Sequence, residues 1–137
     1  MIDHTRFADL ERAAGQNYEP VEGDKWPLEE WYAKVRQIPI TQMSVGDLAT
    51  ACRQDVWTAQ VIPVMIEVLK GDPYVGELYD GELVVALKLV PVEFWKQNPE
   101  LAQAVKAVVE PAVPEFESQV QADAKELLSR LERQPRD

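Results

Sequence analysis

The chain has 137 residues, 46% apolar and 28% charged, which is enough to build one hydrophobic core of ordinary globular composition. Its 14 basic and 24 acidic residues give a formal net charge of −10, which repels nucleic acid and attracts basic proteins. One cysteine and one histidine exclude an intramolecular disulfide and a Cys/His zinc site built from a single copy of the chain.

Missing sequence patterns exclude further classes of protein. The N-terminal segment MIDHTRFADLERAAG interleaves charges without a signal-peptide core, and no apolar run reaches the length of a membrane span. A Gly-rich phosphate loop and a basic nucleic-acid patch are also missing. Cys52 lies on an apolar stripe without a histidine partner, so we expect a buried, inert thiol. We therefore expect a cytoplasmic protein with no catalytic residue, no cofactor, no nucleic-acid partner and no membrane contact.

Helical periodicity begins near the N-terminus. A first helix is predicted over 7–14 and is ended by Gly15, and a polar link leads to Pro27, a suitable first residue for the helix PLEEWYAKVRQI. Pro39 stops that helix, and Ser44 starts the next, SVGDLATACRQ, through a Ser-x-x-Asp capping pattern. In the following segment, AQVIPVMIEVLKGD, apolar residues cover most of the circumference, so we expect the most buried helix there.

The second half of the chain continues in the same way. Helices are predicted over DGELVVALKLV, PVEFWKQ, ELAQAVKAVVE and EFESQVQADAKELLSRLERQ, separated by breaks that contain proline. Strand-like alternation never extends beyond a few residues. The predicted fold class is all-α, a single-domain bundle of roughly seven short helices. Within that one domain, 1–137, we distinguish a lead-in segment (1–26), a main body (27–110) and a C-terminal helix (111–137).

The segment GDPYVGELYDGEL, residues 71–83, groups acids and tyrosines around Gly76 and Gly81. Part of it predicts a helix start, with Asp80 as the N-cap and Glu82 in the first turn. Tyrosines beside acids on a connecting segment are typical of a recognition surface, because the rings provide contact area and the carboxylates provide charge complementarity. The predicted partner-binding residues are Asp72, Tyr74, Glu77, Tyr79, Asp80 and Glu82.

Two other interpretations of this segment are open. Paired carboxylates can hold a metal or act as general acid and base, but the chain has no Glu-x-x-His pair, and the glycines beside Glu77 and Asp80 favour turns. We therefore expect no catalytic role and no metal site. Alternatively, the tyrosines pack into the core and the interface lies elsewhere, for example on the acidic C-terminal helix.

A longer stretch of sequence resembles a known family. The succession IPITQMSVGDLATACRQ and then VIPVMIEVLKGDPYVGELYDGELVVALKLVPVEFWKQNPEL is similar to one group of immunity proteins from bacterial contact-dependent growth inhibition (CDI) systems. In that family an Asp-Leu helix with an Arg-Gln-type end precedes an Ile-Pro helix, an acidic turn with glycine and tyrosine, and a Phe/Tyr-Trp helix. The resemblance covers residues 38–108, and GELYDGEL is its strongest string.

The resemblance implies a small cytoplasmic helical antitoxin. Such a protein binds the C-terminal toxin domain that a neighbouring cell delivers, and blocks it. Many of these toxins are nucleases with basic clefts, so an acidic protein would approach quickly and place carboxylates against the cleft. Two alternatives remain open, a helical regulatory or assembly module without a toxin partner and a carboxylate metal-binding protein.

Overall fold

The computed structural model describes residues 4–19, 23 and 27–132. Within these residues the chain forms eight α-helices and two short 3-10 helices, and its β-structure amounts to one isolated bridge between Arg6 and Pro39. The all-α prediction is confirmed, with one α-helix more than the roughly seven expected. None of the helices in the described ranges is both long and apolar enough to cross a membrane.

Contacts divide the chain into two compact units, Met1–Ser44 and Val45–Asp137. The predicted arrangement, one domain with boundaries after residues 26 and 110, stays a prediction. Its outer ends, 1–3 and 133–137, and part of its first boundary lie outside the described residues.

The first unit contains α1 (Phe7–Ala13), α2 (Pro27–Val35) and a 3-10 helix (Ile40–Gln42). Phe7 is fully buried and stacks on Tyr32, with ring centroids 5.8 Å apart. Proline at the first position of α2 is favoured because its missing N–H would have no helical partner there.

An ion pair between the buried Glu11 and the half-buried Arg36 joins the two α-helices of the first unit to the segment after α2. Glu11 accepts hydrogen bonds from Arg36 Nη2 at 2.5 Å, Arg36 Nε at 3.1 Å and the Tyr32 hydroxyl at 2.6 Å. These bonds, chiefly those from Arg36, hold the pKa of Glu11 below its ordinary value. The Arg36 guanidinium carbon also lies 4.0 Å from the centroid of the Tyr18 ring, in a cation–π contact.

The second unit holds the other helices. They are α3 (Val45–Arg53), α4 (Thr58–Gly71), α5 (Glu82–Lys88), α6 (Val92–Gln97), α7 (Pro99–Val109), a 3-10 helix (Glu110–Glu115) and α8 (Ser118–Glu132). The short α5 packs against both α3 and α8, and α7 packs against α4 and α8. The core of this unit therefore forms around α5, which directly follows the segment singled out in the sequence.

The expectation that α4 is the most buried helix was wrong. Every residue of α5 is buried or half-buried, and Leu83 and Leu87 are fully enclosed. By contrast, α4 buries one face and exposes positions on the other, including Pro63 and Glu67. The helix α5 is the more buried of the two because α3 and α8 both pack against it. The apolar pattern of α4 predicts only how much of α4 can be buried, and it carries no information about the packing around α5.

Candidate functional site

The 72–81 loop connects α4 to α5 and contains most of the predicted partner-binding residues. Its first turn is closed by Asp72, whose Oδ1 accepts the N–H of Tyr74 at 2.9 Å. The Tyr74 carbonyl in turn accepts the N–H of Gly81 at 2.8 Å, which brings the two ends of the loop together. The loop is thus a closed, internally bonded structure.

The buried side chain of Glu82 holds the backbone of the loop. Its side chain is 1% exposed, and its Oε1 accepts the N–H groups of Glu77 at 2.9 Å and Leu78 at 3.3 Å. Its Oε2 lies 3.7 Å from Arg53 Nη1, at the end of α3, and accepts no hydrogen bond from the described residues. A buried carboxylate therefore fixes the backbone of the loop, and the predicted first-turn position of Glu82 is confirmed.

The prediction of Asp80 as an N-cap was wrong. Gly81 occupies the N-cap of α5 with φ of 86°, and no side chain caps this helix. A Cβ at Gly81 would lie 2.6 Å from Val120 Cγ1, so both the left-handed backbone and the close approach of α8 require glycine. Asp80 is left exposed, with a carboxylate that the helix start does not use.

Glycine is also required at the other end of this tight segment. A Cβ at Gly76 would overlap the Tyr79 carbonyl oxygen and lie 2.9 Å from the Glu82 Cβ. Gly76 thus lets the chain fold back over Glu82. The two glycines noted in the sequence have steric roles that define the loop.

Glu77 ties the loop to α3. Its Oε2 accepts a hydrogen bond from the backbone N–H of Gly46, in the first turn of that helix. An N–H in the first turn has no helical acceptor, and a carboxylate there is also favoured by the positive end of the helix dipole. Glu77 therefore has a structural role in addition to its exposure to solvent.

The two tyrosines of the loop have different environments. Tyr74 is half-buried, its hydroxyl donates to the Ala112 carbonyl at 3.4 Å, and its ring meets Phe116 edge-on at 5.0 Å. Tyr79 is 42% exposed. The interpretation in which the tyrosines pack inward therefore holds for Tyr74 and is wrong for Tyr79.

The loop displays an exposed tip, formed by Leu78, Tyr79 and Asp80. Leu78 is 78% exposed, the most exposed of the large apolar side chains in the described residues. Sequence reasoning missed Leu78, although an apolar residue in a short turn bounded by two glycines was a usable signal. Contiguous exposed apolar area marks contact surfaces, and Leu78 forms such an area together with the neighbouring Tyr79 ring.

Beside the tip lies a cleft of about 300 Å³, which we call the acidic cleft. It is lined by Tyr74, Tyr79, Asp80, Glu115, Phe116 and Glu117. Phe116 is buried, whereas the three carboxylate residues are exposed. Sequence reasoning missed the three lining residues that follow α7, because tertiary contacts such as the packing of Phe116 on Tyr74 bring them to the loop.

Cys52 is enclosed by its neighbours. Its side chain is buried, its sulfur lies 3.5 Å from the Ala86 carbonyl as a hydrogen-bond donor, and burial raises the pKa of the thiol to about 12. The expectation of a buried thiol is confirmed. Across residues 4–19, 23 and 27–132, no three Asp, Glu, His or Cys side chains are grouped so that they could hold a metal ion.

Comparison with known families identifies the chain. The family model of CDI immunity proteins matches residues 12–105, which is more than half of the sequence. The chain belongs to this family, as the resemblance in the loop and its flanking helices predicted. No curated protein matches the chain. The matched range contains the whole 72–81 loop but ends before the residues that close the acidic cleft from the other side.

Proposed function

We propose that this immunity protein acts in the cytoplasm by binding the C-terminal domain of its cognate CDI toxin, and that it blocks the toxin without catalysis of its own. Family membership supports the toxin partner over a regulatory module or a metal-binding protein. The observation that carries the choice of surface is Leu78, which is 78% exposed at the tip of a loop fixed by a buried carboxylate.

The exposed tip has the properties of a binding hot spot. Binding energy in protein interfaces concentrates in a few large side chains, and a surface that is already ordered loses less conformational entropy when it binds. Leu78 and Tyr79 offer apolar and aromatic area, and Asp80 adds charge. The hydrogen bonds that the Glu82 and Glu77 carboxylates accept from backbone N–H groups hold the tip in place before any partner arrives.

The six predicted residues divide into two groups under this proposal. Tyr79, Asp80 and the exposed carboxylates of Asp72 and Glu77 would face the toxin. Tyr74 and Glu82 would instead shape the surface, because the Tyr74 ring packs on Phe116 and Glu82 is 1% exposed.

Charge complementarity indicates which kind of toxin surface the protein would bind. With a formal net charge of −10, the protein would be steered toward a basic surface such as the substrate cleft of a nuclease. We infer that the tip and the acidic cleft cover such a basic toxin surface. The association rate constant should then fall by about tenfold or more when the salt concentration rises through the physiological range.

A pair of matched variants tests the surface. Leu78→Arg adds a positive charge and removes apolar area at the tip, whereas Leu89→Arg makes the same change at a leucine that is 53% exposed at the other end of α5. Calorimetry against the toxin domain encoded beside this protein should show a loss of about 2 kcal/mol, roughly 30-fold in Kd, for Leu78→Arg. Leu89→Arg should change Kd by less than about twofold.

The two variants carry the same net charge, so a general electrostatic effect would weaken both equally. Equal affinities for Leu78→Arg and the wild type would place the interface elsewhere while preserving the immunity role. A wild-type protein that fails to bind this toxin domain, while its circular dichroism remains helical, would contradict the proposed function itself.

A further inference from the structure

We propose that the acidic cleft is a receptor for one arginine side chain of the toxin, which inserts beside the exposed tip. This inference rests on the proposed function and specifies the chemical group that the surface recognises. The cleft has a concave shape, an aromatic lining and acidic edges, and it adjoins an exposed leucine.

The lining determines the chemistry of the occupant. Tyr74, Tyr79 and Phe116 contribute aromatic rings, and Asp80, Glu115 and Glu117 contribute carboxylates. An aliphatic side chain would leave the carboxylates without a donor, and an anion would be repelled. A planar cation satisfies both kinds of group, because a guanidinium stacks on aromatic faces and donates a fork of hydrogen bonds to carboxylates.

The three carboxylates are available to a ligand. Among residues 4–19, 23 and 27–132, no lysine or arginine forms an ion pair with Asp80, Glu115 or Glu117. Other surface acids of the second unit, such as Glu67 and Glu93, pair with a lysine one helical turn away. The charge around the cleft is therefore not neutralised by the described part of the protein itself.

The first unit of the same chain already contains the proposed arrangement. Arg36 stacks over the Tyr18 ring at 4.0 Å while its guanidinium donates two hydrogen bonds to the Glu11 carboxylate. That half-buried arginine contacts an aromatic face and a carboxylate together. The acidic cleft offers the same two partners without an arginine between them.

The first test uses a small probe and does not depend on the toxin. The chain, labelled with nitrogen-15, is titrated at low salt with N-acetyl-arginine amide and, separately, with N-acetyl-citrulline amide, which has the same shape without the charge. Arginine should give saturable shifts at the amides of Tyr79, Asp80 and Glu117, with Kd on the order of 10 mM. Citrulline shifts of equal size, or no saturable shift with arginine, would overturn the inference.

A matched pair of double variants tests the carboxylates. Glu115→Gln with Glu117→Gln removes two charges at the cleft, and Glu100→Gln with Glu110→Gln removes two charges from exposed positions that do not line it. The cleft variant should bind the arginine probe about fivefold more weakly, and the control variant should bind within about twofold of the wild type. An equal loss of affinity for the arginine probe in both double variants would mean that the probe responds only to the net negative charge of the protein and not to the cleft.

The second test uses the toxin domain. The cleft double variant should lose about tenfold in affinity for it, and the control double variant less than about twofold. If the toxin binds the wild type and both variants equally, the inference fails and the proposed function stands. If the toxin binds none of them, the proposed function fails, and the arginine titration alone decides whether the cleft recognises a guanidinium.

Discussion

At the scale of single residues, Glu82 shows how burial changes the role of a charge. One of its oxygens accepts two backbone N–H groups of the loop, and the other faces Arg53 across 3.7 Å. Removing water from a carboxylate is costly unless it gains such partners. Since Glu82 is 1% exposed, its role is to hold the exposed tip; under the proposed function it would support toxin binding without touching the toxin.

Replacing Glu82 by glutamine tests this role. The amide oxygen can still accept the N–H groups of Glu77 and Leu78, but the NH₂ group would then face the Arg53 guanidinium, donor against donor. We expect the free energy of unfolding, measured in urea, to fall by about 2 kcal/mol.

Glu126→Gln is the matched control. Glu126 also lies 3.7 Å from a cation, Lys88, but its side chain is 56% exposed, so its loss should cost less than about 0.5 kcal/mol. Similar destabilisation by the two substitutions would mean that the burial of Glu82 has no special importance.

At the scale of elements, the 72–81 loop is shaped by backbone geometry. Gly76 and Gly81 create the space in which the chain turns over Glu82. Gly71 ends α4 a few residues earlier, and a Cβ added there would meet no atom within 4 Å. The three glycines are close in sequence but differ in steric freedom. Of the three, only substitutions at Gly76 and Gly81 should deform the loop.

The comparison of Gly76→Ala with Gly71→Ala tests that difference. The Gly76 methyl group would collide with the Tyr79 carbonyl, so we expect a loss of about 2 kcal/mol in unfolding free energy and at least roughly tenfold weaker toxin binding. Gly71→Ala should leave both quantities nearly unchanged, within about 0.5 kcal/mol. Unchanged amide exchange at Glu77 and Leu78 in the Gly76 variant would contradict the steric argument.

The helices were largely predictable from sequence, and the site only in part. Pro27 marks the start of α2, and Pro91 and Pro99 mark breaks between later helices, because these signals are local. The capping role given to Asp80 failed because the approach of Val120, far along the chain, requires glycine at the N-cap position that follows it. Glu115 and Glu117 could not be assigned to the cleft for the same reason, since their place there depends on contacts between distant parts of the chain.

At the scale of the whole molecule, acidic residues are used in two ways. Most of the acids in the described part of the chain are exposed and contribute to the formal net charge of −10, while a few, including Asp9 and Glu11, are held by arginines. Hydrogen bonds from Arg6 lower the pKa of Asp9 to about 2, and those from Arg36 lower the pKa of Glu11. Both groups have lower pKa values in the folded than in the unfolded protein, so they link stability to pH.

The sign of this linkage predicts loss of stability in acid. Ionised Glu11 stabilises the fold fully above its ordinary pKa of 4.5, and this contribution disappears as pH falls through its lower folded value. Urea unfolding should therefore show a falling unfolding free energy below about pH 4.5. Glu11→Gln should cost about 3 kcal/mol at pH 7 and progressively less below pH 4.5, because the wild type loses the same interaction.

An acid dependence that is equally steep in Glu11→Gln would assign the effect to other carboxylates. Asp9→Asn serves as the comparison, since Asp9 is a second acid paired with an arginine, in the same helix but more exposed. Its stabilising effect should disappear between about pH 4 and pH 2.

The hydrogen bonds that hold the loop involve its backbone, and this affects how the sequences of such proteins can diverge. Glu82 holds Leu78 through its backbone N–H, a group that every amino acid except proline provides. The side chains at positions 78, 79 and 80 can therefore change while the hydrogen bond between Glu82 and the loop backbone is kept. If the tip binds the toxin as proposed, a lineage that meets an altered toxin could thus exchange these side chains by single mutations, each inherited without loss of the folded loop.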